Sequence, residues 1–531
     1  MSITDAFSFL LQGYTPSIIL IVLGVLLIIR QRLAIQLDPQ EPPILKPRIP
    51  YIGHIIGLLQ HQSAYFDKLY ARKPLPIATL PMITSKLYVI NSASLAQSAF
   101  RHKNLSFDPF TLEFAQRMLA VSNESMVPIR FPGDDKTPSF LAEFVKELHG
   151  AMAEKHLGKM NASALQRVAD TVNEIGTTFE TESLYLWLRN MMTLATSDAL
   201  FGSHNPLQRD RSLVDAIWNF DSDLLGILLN IYPAVTFPKA YKARGDIQAA
   251  LIEYYTAKHD LEPDVSQMTK ARAAILRKHH VPDTDIGSFE LALLHVSTAN
   301  AIPTLFWHLL FLLSSPTVLP LIRAELSTII TLSPSREATV NTSLFHTHCP
   351  LLVSSYRETI RLANSQAGSR RVIADTLLSS GDGAQRREFL LRAGADVQIP
   401  AGVPHLSSIW GPDAAEFDAE RFLEKDKDKD QKDGKEKAED KEMKKSFFPF
   451  GGGKHLCPGR SFAFAEILGC VAVLVAGFEV RDAEGREIGR PRLGRGRLGD
   501  AIVKPEGEWR GLGARIRRRE GWEDVRWRFE C

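Results

Sequence analysis

The sequence predicts a mainly α-helical body placed behind an N-terminal membrane-spanning segment, and three observations lead to that reading. Apolar residues recur at three- and four-residue spacing from Phe140 to Val172, Leu184 to Leu200, Leu213 to Leu228 and Ile247 to Tyr255, the period of helices with one buried face. A more uniformly apolar stretch from Phe289 to Leu310 reads as one long helix. Phe7 to Ile29 is apolar as well, densest from Ile18 to Ile29, and about twenty such residues suffice to cross a bilayer.

The N-terminal run reads as a signal anchor over residues 1–32. Gln12 and Thr15 move the start of the span toward Tyr14. No basic region precedes the run and no small-residue cleavage site follows it, so a cleaved signal peptide fits less well. Arg30, Arg32, Lys46 and Arg48 come directly after it, and the positive-inside bias keeps them and the following body in the cytosol. Pro39, Pro42, Pro43, Pro47 and Pro50 make residues 33–53 a semi-rigid, extended hinge, and residues 54–531 form the body.

Within the body, Leu224 to Pro233 is apolar and ends at a proline, which suits either a channel rim touching the membrane or a buried helix end. In the long apolar stretch, Pro303 removes a helical hydrogen bond and predicts a bend, and Asn300 lies one turn before it. Leu352 to Leu362 reads as a helix on which Glu358 and Arg361, three apart, share a face and form an ion pair. Such pairs are common on surfaces, so this one gains meaning only from its surroundings. From Glu424 to Lys445 the chain is almost entirely Lys, Glu and Asp; it has nothing to bury and is expected to be a disordered, charge-balanced insertion.

The chemistry concentrates in Phe447-Phe448-Pro449-Phe450-Gly451-Gly452-Gly453-Lys454-His455-Leu456-Cys457-Pro458-Gly459-Arg460. One cysteine stands in a glycine-rich loop that runs into the apolar helix beginning near Ser461. Free amides at that helix start would face its sulfur and favour the thiolate. The glycines let the backbone approach a flat macrocycle, and Phe450 would cover one side of it. A thiolate so placed suits a haem iron. After it, the tail is rich in arginine (Arg490, Arg492, Arg495, Arg497, Arg515, Arg517, Arg518 and Arg519) and in glycine, suggesting surface hairpins without a catalytic group.

Composition narrows the class. The 531 residues are 45% hydrophobic and 23% charged with a net charge of +2, ordinary for a globular protein and without the basic excess of a nucleic-acid binder. Four cysteines, Cys349, Cys457, Cys470 and Cys531, include no Cys-x-x-Cys pair, which argues against a disulfide framework or a zinc motif. The sequons at Asn104, Asn123, Asn161 and Asn341 stay unmodified if the body is cytosolic.

The spacing Phe450-x-x-Gly453-x-x-x-Cys457-x-Gly459 resembles the cysteine-loop signature of the cytochrome P-450 family. Glu358-x-x-Arg361 is similar to that family's K-helix motif, and Trp410 to Phe422 to its meander segment. The resemblance implies the P-450 fold, mainly α with a small β-rich part, and haem b (iron protoporphyrin IX) bound through Cys457 as axial ligand. It further implies a structural triad of Glu358, Arg361 and Arg421. Gly368 to Asp375 resembles the strand carrying a propionate-binding arginine, which Arg370 fits best with Arg371 as the near alternative. His455 stands where relatives place a second propionate contact, and no Trp-x-x-x-Arg contact is found in the first central helix.

The distal helix departs from the common pattern. Anchored on Trp307, Ala299 occupies the usual acid position and Asn300 the usual alcohol position. Alanine cannot pass a proton, whereas asparagine donates and accepts hydrogen bonds without ionising. The Ala-Asn-x-x-Pro-x-x-Phe-Trp pattern resembles the branch of bile-acid sterol hydroxylases and prostacyclin synthase. The family implies a membrane-anchored monooxygenase of the endoplasmic reticulum, fed from NADPH by a separate NADPH-cytochrome reductase and acting on a lipophilic small molecule, with fungal secondary metabolism as the niche. A peroxide isomerase or dehydratase needing no reductase, and a non-catalytic membrane haem sensor, are the other readings.

Overall fold

The computed structural model describes residues 37–531 apart from 51, 84, 135–136, 381–385 and 424–433. The expected N-terminal span and the start of the hinge lie outside the described residues. From Glu41 to Leu45 the hinge is packed against the body, and beyond it Lys46, Arg48, Ile49 and Pro50 are exposed. Thr79 donates its amide to Pro43 O at 2.9 Å, and Leu45 donates back to Thr79 O at 2.9 Å. Glu41 is buried against Lys86 at 2.8 Å and Tyr88 at 2.6 Å.

The helices used below run in chain order: α1 Ala93–Arg101, α2 Phe140–Ala151, α3 Glu154–Asn173, α4 Leu184–Phe201, α5 Ser212–Ser222, α6 Leu224–Leu229, α7 Pro233–Thr236, α8 Pro238–Thr256, α9 Gln267–Lys278, α10 Asp283–Thr298, α11 Ala301–Leu313, α12 Pro350–Ala363, α13 Gly434–Ser446 and α14 Arg460–Gly477. The expected helix from Phe140 to Val172 is two, separated at Met152–Ala153, and the Leu213–Leu228 pattern is likewise split at Asp223. In both places the periodicity carries across a short turn, which is why the pattern alone joined them.

Thirteen strands are described, and eight of them build the sheets nearest the site: β1 Ile77–Pro81, β2 Lys86–Ile90, β3 Leu105–Ser106, β4 Thr178–Thr181, β5 Ala367–Val372, β6 Asp396–Pro400, β7 Phe478–Asp482 and β8 Ala514–Arg518. The largest sheet has the order β1-β2-β6-β5-β3, with β2 and β6 parallel and the other pairs antiparallel. A second sheet, β7-β8-β4, is antiparallel throughout. The tail expected as surface hairpins is thus built in, and Arg518 is buried, donating to Val525 O at 2.6 Å and Ile175 O at 2.9 Å.

The core is centred on α14 and the α10–α11 pair. Ile467, Leu468 and Val471 to Val475 are all at or near zero exposure. Each such side chain contributes roughly 1.5–3 kcal/mol by leaving water. Asp283–Leu313 and Arg460–Gly477 are apolar and long enough to cross a membrane, yet 78% of each apolar window is buried inside the protein, so both are core helices.

The insertion differs from expectation. Residues 424–433 lie outside the described set, but Gly434–Ser446 is helical and not disordered. Lys, Glu, Ala and Met are strong helix formers, and opposite charges recur at helical spacing, as in Glu442–Lys445. Tertiary contact then fixes the end: Gln97 of α1 donates to Lys445 O at 3.1 Å, and Ser446 is buried.

Candidate functional site

The cysteine loop is held by its own backbone. Cys457 donates its amide to Phe450 O at 3.1 Å, closing a loop in which Gly451 and Gly453 adopt φ of +72° and +66°. A Cβ on Gly453 would lie 1.9 Å from Phe100 O on α1, so only glycine permits this approach. Gly459 caps α14 and Arg460 begins it. Burial pushes the half-buried Cys457 thiol up, opposed by the amides of Gly459 and Arg460 and by the Arg460 charge. The sulfur therefore faces the amino end of an 18-residue helix, as the loop-to-helix pattern anticipates.

Two basic side chains stand beside this loop with unmet hydrogen-bonding capacity. Arg370 on β5 is buried and donates to Ser369 O at 2.7 Å and Gly452 O at 3.3 Å, while its Nε has no partner. Burial lowers its pKa to about 10, against the opposing charge of Asp108. Arg371, the next residue, points to the other face and is fully engaged with Asp396 at 2.8 Å and Glu113 at 2.6 Å. Strand alternation thus separates the two candidates. His455 Nε2 lies 3.5 Å from Asp108 but makes no hydrogen bond, and burial, with the Arg370 charge, lowers its pKa to about 4. Two basic side chains, each with a nitrogen left free, beside a half-buried thiol at a helix start form a donor set that fits a haem: sulfur for iron, N–H donors for propionates.

Behind the loop, Arg361 clasps Glu358 with two bonds of 2.7 Å, and both are fully buried on α12. The remaining Arg361 nitrogen donates to His405 O at 2.6 Å and Ala414 O at 2.7 Å. Arg421 donates to Glu358 at 2.9 Å and to Trp410 O at 2.5 Å. Helix α12 and the Trp410–Phe422 segment are therefore joined through one carboxylate. Sequence reasoning missed Glu466 on α14. It is fully buried, accepts from Thr196 at 2.9 Å, and burial raises its pKa to about 8. An acid inside the apolar run from Phe462 to Leu474 was the available signal.

The opposite wall departs from the expected single helix. It breaks at Ala299–Asn300, between α10 and α11. Pro303 supplies no N–H to Ala299 O, and Thr304 bonds Asn300 O with both its amide at 3.3 Å and its hydroxyl at 2.8 Å. Asn300 Oδ1 accepts from the Ala501 amide at 3.2 Å. Its carbonyl oxygen is thus occupied by the C-terminal segment, and its amide N–H groups remain as donors. Farther up, His295 of α10 meets buried Asp221 of α5 at 2.9 Å. Lys504 joins Asp221 and reaches Asp500 at 3.0 Å, while Arg497 reaches Asp500 at 2.9 Å. Burial raises the Asp221 pKa, but His295 and Lys504 outweigh it and hold the carboxyl well below its usual range. These residues are far apart in sequence, and no local motif announces them.

Over this wall, the segment of α6 and α7 exposes Leu229, Ile231, Tyr232 and Val235, with Tyr232 at 81% and Val235 at 78%. Within Leu224 to Pro233, Gly226 and Ile227 are buried, and the exposed apolar residues begin at Leu229.

Comparison with known proteins agrees with this architecture. A family profile described as Cytochrome P450 matches residues 42–498. A "Cytochrome P450 monooxygenase" of Gibberella zeae is 35% identical, covering 100% of this chain and 99% of that protein. "Cytochrome P450 monooxygenase nodJ" of Hypoxylon pulicicidum is 29% identical over 93% of each. A 5-beta-cholestane-3-alpha,7-alpha-diol 12-alpha-hydroxylase of Sus scrofa is 24% identical over 86% of this chain and 91% of that protein. Among solved structures, a retinoic acid-bound cyanobacterial CYP120A1 superimposes with a TM-score of 0.65 at 18% identity, covering 91% of this chain and 100% of that one, a likeness of fold. The chain therefore belongs to the cytochrome P450 family of monooxygenase enzymes.

Proposed function

We propose that this protein is a membrane-anchored haem-thiolate monooxygenase that oxidises a lipophilic small molecule in fungal secondary metabolism, with electrons passed from NADPH by a separate reductase. The observation that carries the reading is the Cys457 sulfur at the amino end of α14 with the buried Arg370, its Nε without a partner, beside the loop. Cys457 is the proposed iron ligand, Arg370 and His455 the propionate contacts, and Phe450 the cover of the proximal face. The haem, when bound, supplies dioxygen activation for insertion of one oxygen atom into a C–H or C=C bond.

The chain's own groups do the rest. The Gly459 and Arg460 amides stabilise negative charge on sulfur. Glu358, Arg361 and Arg421 fix the backbone behind the loop. Asn300, its Oδ1 held by Ala501, offers N–H donors that orient a polar atom near the break. The names of the fungal relatives support the niche, and the sterol in the name of the porcine relative supports a lipophilic substrate. The exposed apolar rim of α6 and α7 supports entry from a bilayer.

The test is expression of the full chain with a microsomal reductase, followed by incubation with lipophilic host extracts. NADPH-dependent appearance of an oxygenated product is expected, and Asn300→Ala should reduce product formed per NADPH consumed. Ala299 at the acid position also favours a second reading, rearrangement or dehydration of a lipid peroxide. Turnover of a peroxide without NADPH or reductase would establish that chemistry instead.

A further inference from the structure

At the edge of the molecule away from the cysteine loop, the ends of two long helices bring together three metal-ligating side chains that the monooxygenase reading does not use. His204 closes the short turn Gly202–His204 after α4, and His259 and Glu262 lie just beyond α8. His259 Nδ1 is 2.8 Å and His204 Nε2 3.3 Å from the same oxygen, Glu262 Oε1. The two imidazoles stack face to face with centroids 3.8 Å apart and planes 7° from parallel.

The scaffold around these groups is fixed from both sides. Tyr254 at the end of α8 donates to Phe201 O at 2.9 Å, joining the two helix ends directly. Asp260, between the ligands in sequence, is buried in a two-bond pairing with Arg277 at 2.6 and 2.9 Å. Ser203 donates its amide to Asp264 at 2.7 Å, which tethers the turn carrying His204. All three ligand atoms lie within 4.8 Å of one another. Coordination at about 2.0–2.2 Å would draw the three atoms together around one ion. His204 is 44% exposed, so solvent ions have access.

We propose that His204, His259 and Glu262 form a binding site for a borderline divalent transition-metal ion, with zinc the expected occupant. Two imidazoles and one carboxylate are a donor set for zinc and not for calcium or magnesium, which take oxygen ligands. Water would complete the coordination. Because the ligands come from turns after α4 and after α8, the bound ion ties the end of the helix following the apolar rim to the end of a core helix.

The experiment uses untagged, haem-loaded, full-length protein titrated calorimetrically with zinc chloride. One zinc per chain with a dissociation constant in the micromolar range or tighter is expected. His204→Gln and His259→Gln should each weaken binding by about tenfold or more, as loss of one of three protein ligands demands. In the wild type, zinc should slow backbone hydrogen exchange over residues 202–204 and 257–264 and do so in neither variant. The reduced carbon-monoxide spectrum, unchanged in both, reports that the body is intact; were either variant to lose it, Glu262→Gln provides the same comparison. Absence of binding up to millimolar zinc overturns the proposal. So does binding that survives both histidine variants, or binding that disappears in Cys531→Ser.

Discussion

The wall that carries Cys457 and the wall that carries Asn300 use polar groups in different ways. Behind the cysteine, Glu358 receives bonds from two arginines, and every nitrogen of Arg361 is matched to a carboxylate or carbonyl. Among the described residues, the buried atoms left without a partner near the loop include Arg370 Nε, His455 Nε2 and, behind it, His405 Nδ1, while His295 Nδ1 is left over on α10. On the Asn300 wall the polar atoms serve to hold the break: Ala501 takes the side-chain oxygen and Thr304 takes the backbone carbonyl twice. A buried polar group without a partner costs free energy, so its position marks where a partner belongs. The first wall leaves basic groups open beside the cysteine loop, and the second uses its polar groups to keep a bend in place.

Four substitutions sharpen or break that contrast. Cys457→Ser should abolish both the thiolate-type reduced carbon-monoxide band and all NADPH-dependent product. Retention of that band would move the ligand elsewhere. Arg361→Met leaves Glu358 buried with only Arg421 beside it and should cost about 3–5 kcal/mol, read as a lower denaturation midpoint and reduced haem content.

Glu466→Gln tests a pH effect. The folded pKa of about 8 stands above the ordinary 4.5, so the folded chain keeps a proton that the unfolded chain releases. Its contribution is fully present below about pH 4.5 and is lost as pH rises toward 8, with a slope on the order of 1 kcal/mol per pH unit. The glutamine variant should flatten stability between pH 5 and pH 8, measured by denaturant unfolding at about those two values. The smallest effect is at Arg370. Arg370→Leu should weaken haem retention by about 1.5–3 kcal/mol, followed as faster transfer to a haem scavenger. The haem-free variant should lose little stability, because the buried Arg370 cation keeps one nitrogen without a partner and donates otherwise only to the Ser369 and Gly452 carbonyls. A destabilised haem-free variant would mean that Arg370 serves packing alone.

The sequence carried the cysteine loop and the Glu358–Arg361 pair because both are local: a fixed spacing on one helix or one turn is visible without knowing the fold. The choice between Arg370 and Arg371 was also within reach, since adjacent strand residues face opposite ways and Glu113 and Asp396 claim only one. What stayed hidden depends on distant pairing. Asn300 meets Ala501, and Asp221 meets both His295 and Lys504, contacts made 74 to 283 residues apart. The charged insertion misled for a related reason. Its composition has no core-forming residues, yet helix propensity and one docking contact at Lys445 order its C-terminal half.

The second sheet has a consequence for synthesis. Strand β4, at Thr178–Thr181, pairs with Ala514–Arg518, and Trp527 fills the space over Gly477, where a Cβ would come within 2.3 Å of its ring. A ribosome makes β4 more than 300 residues before its neighbour. β4 therefore has no neighbour until the C-terminal segment is made, and that open sheet edge is exposed to chaperones and proteases in the meantime.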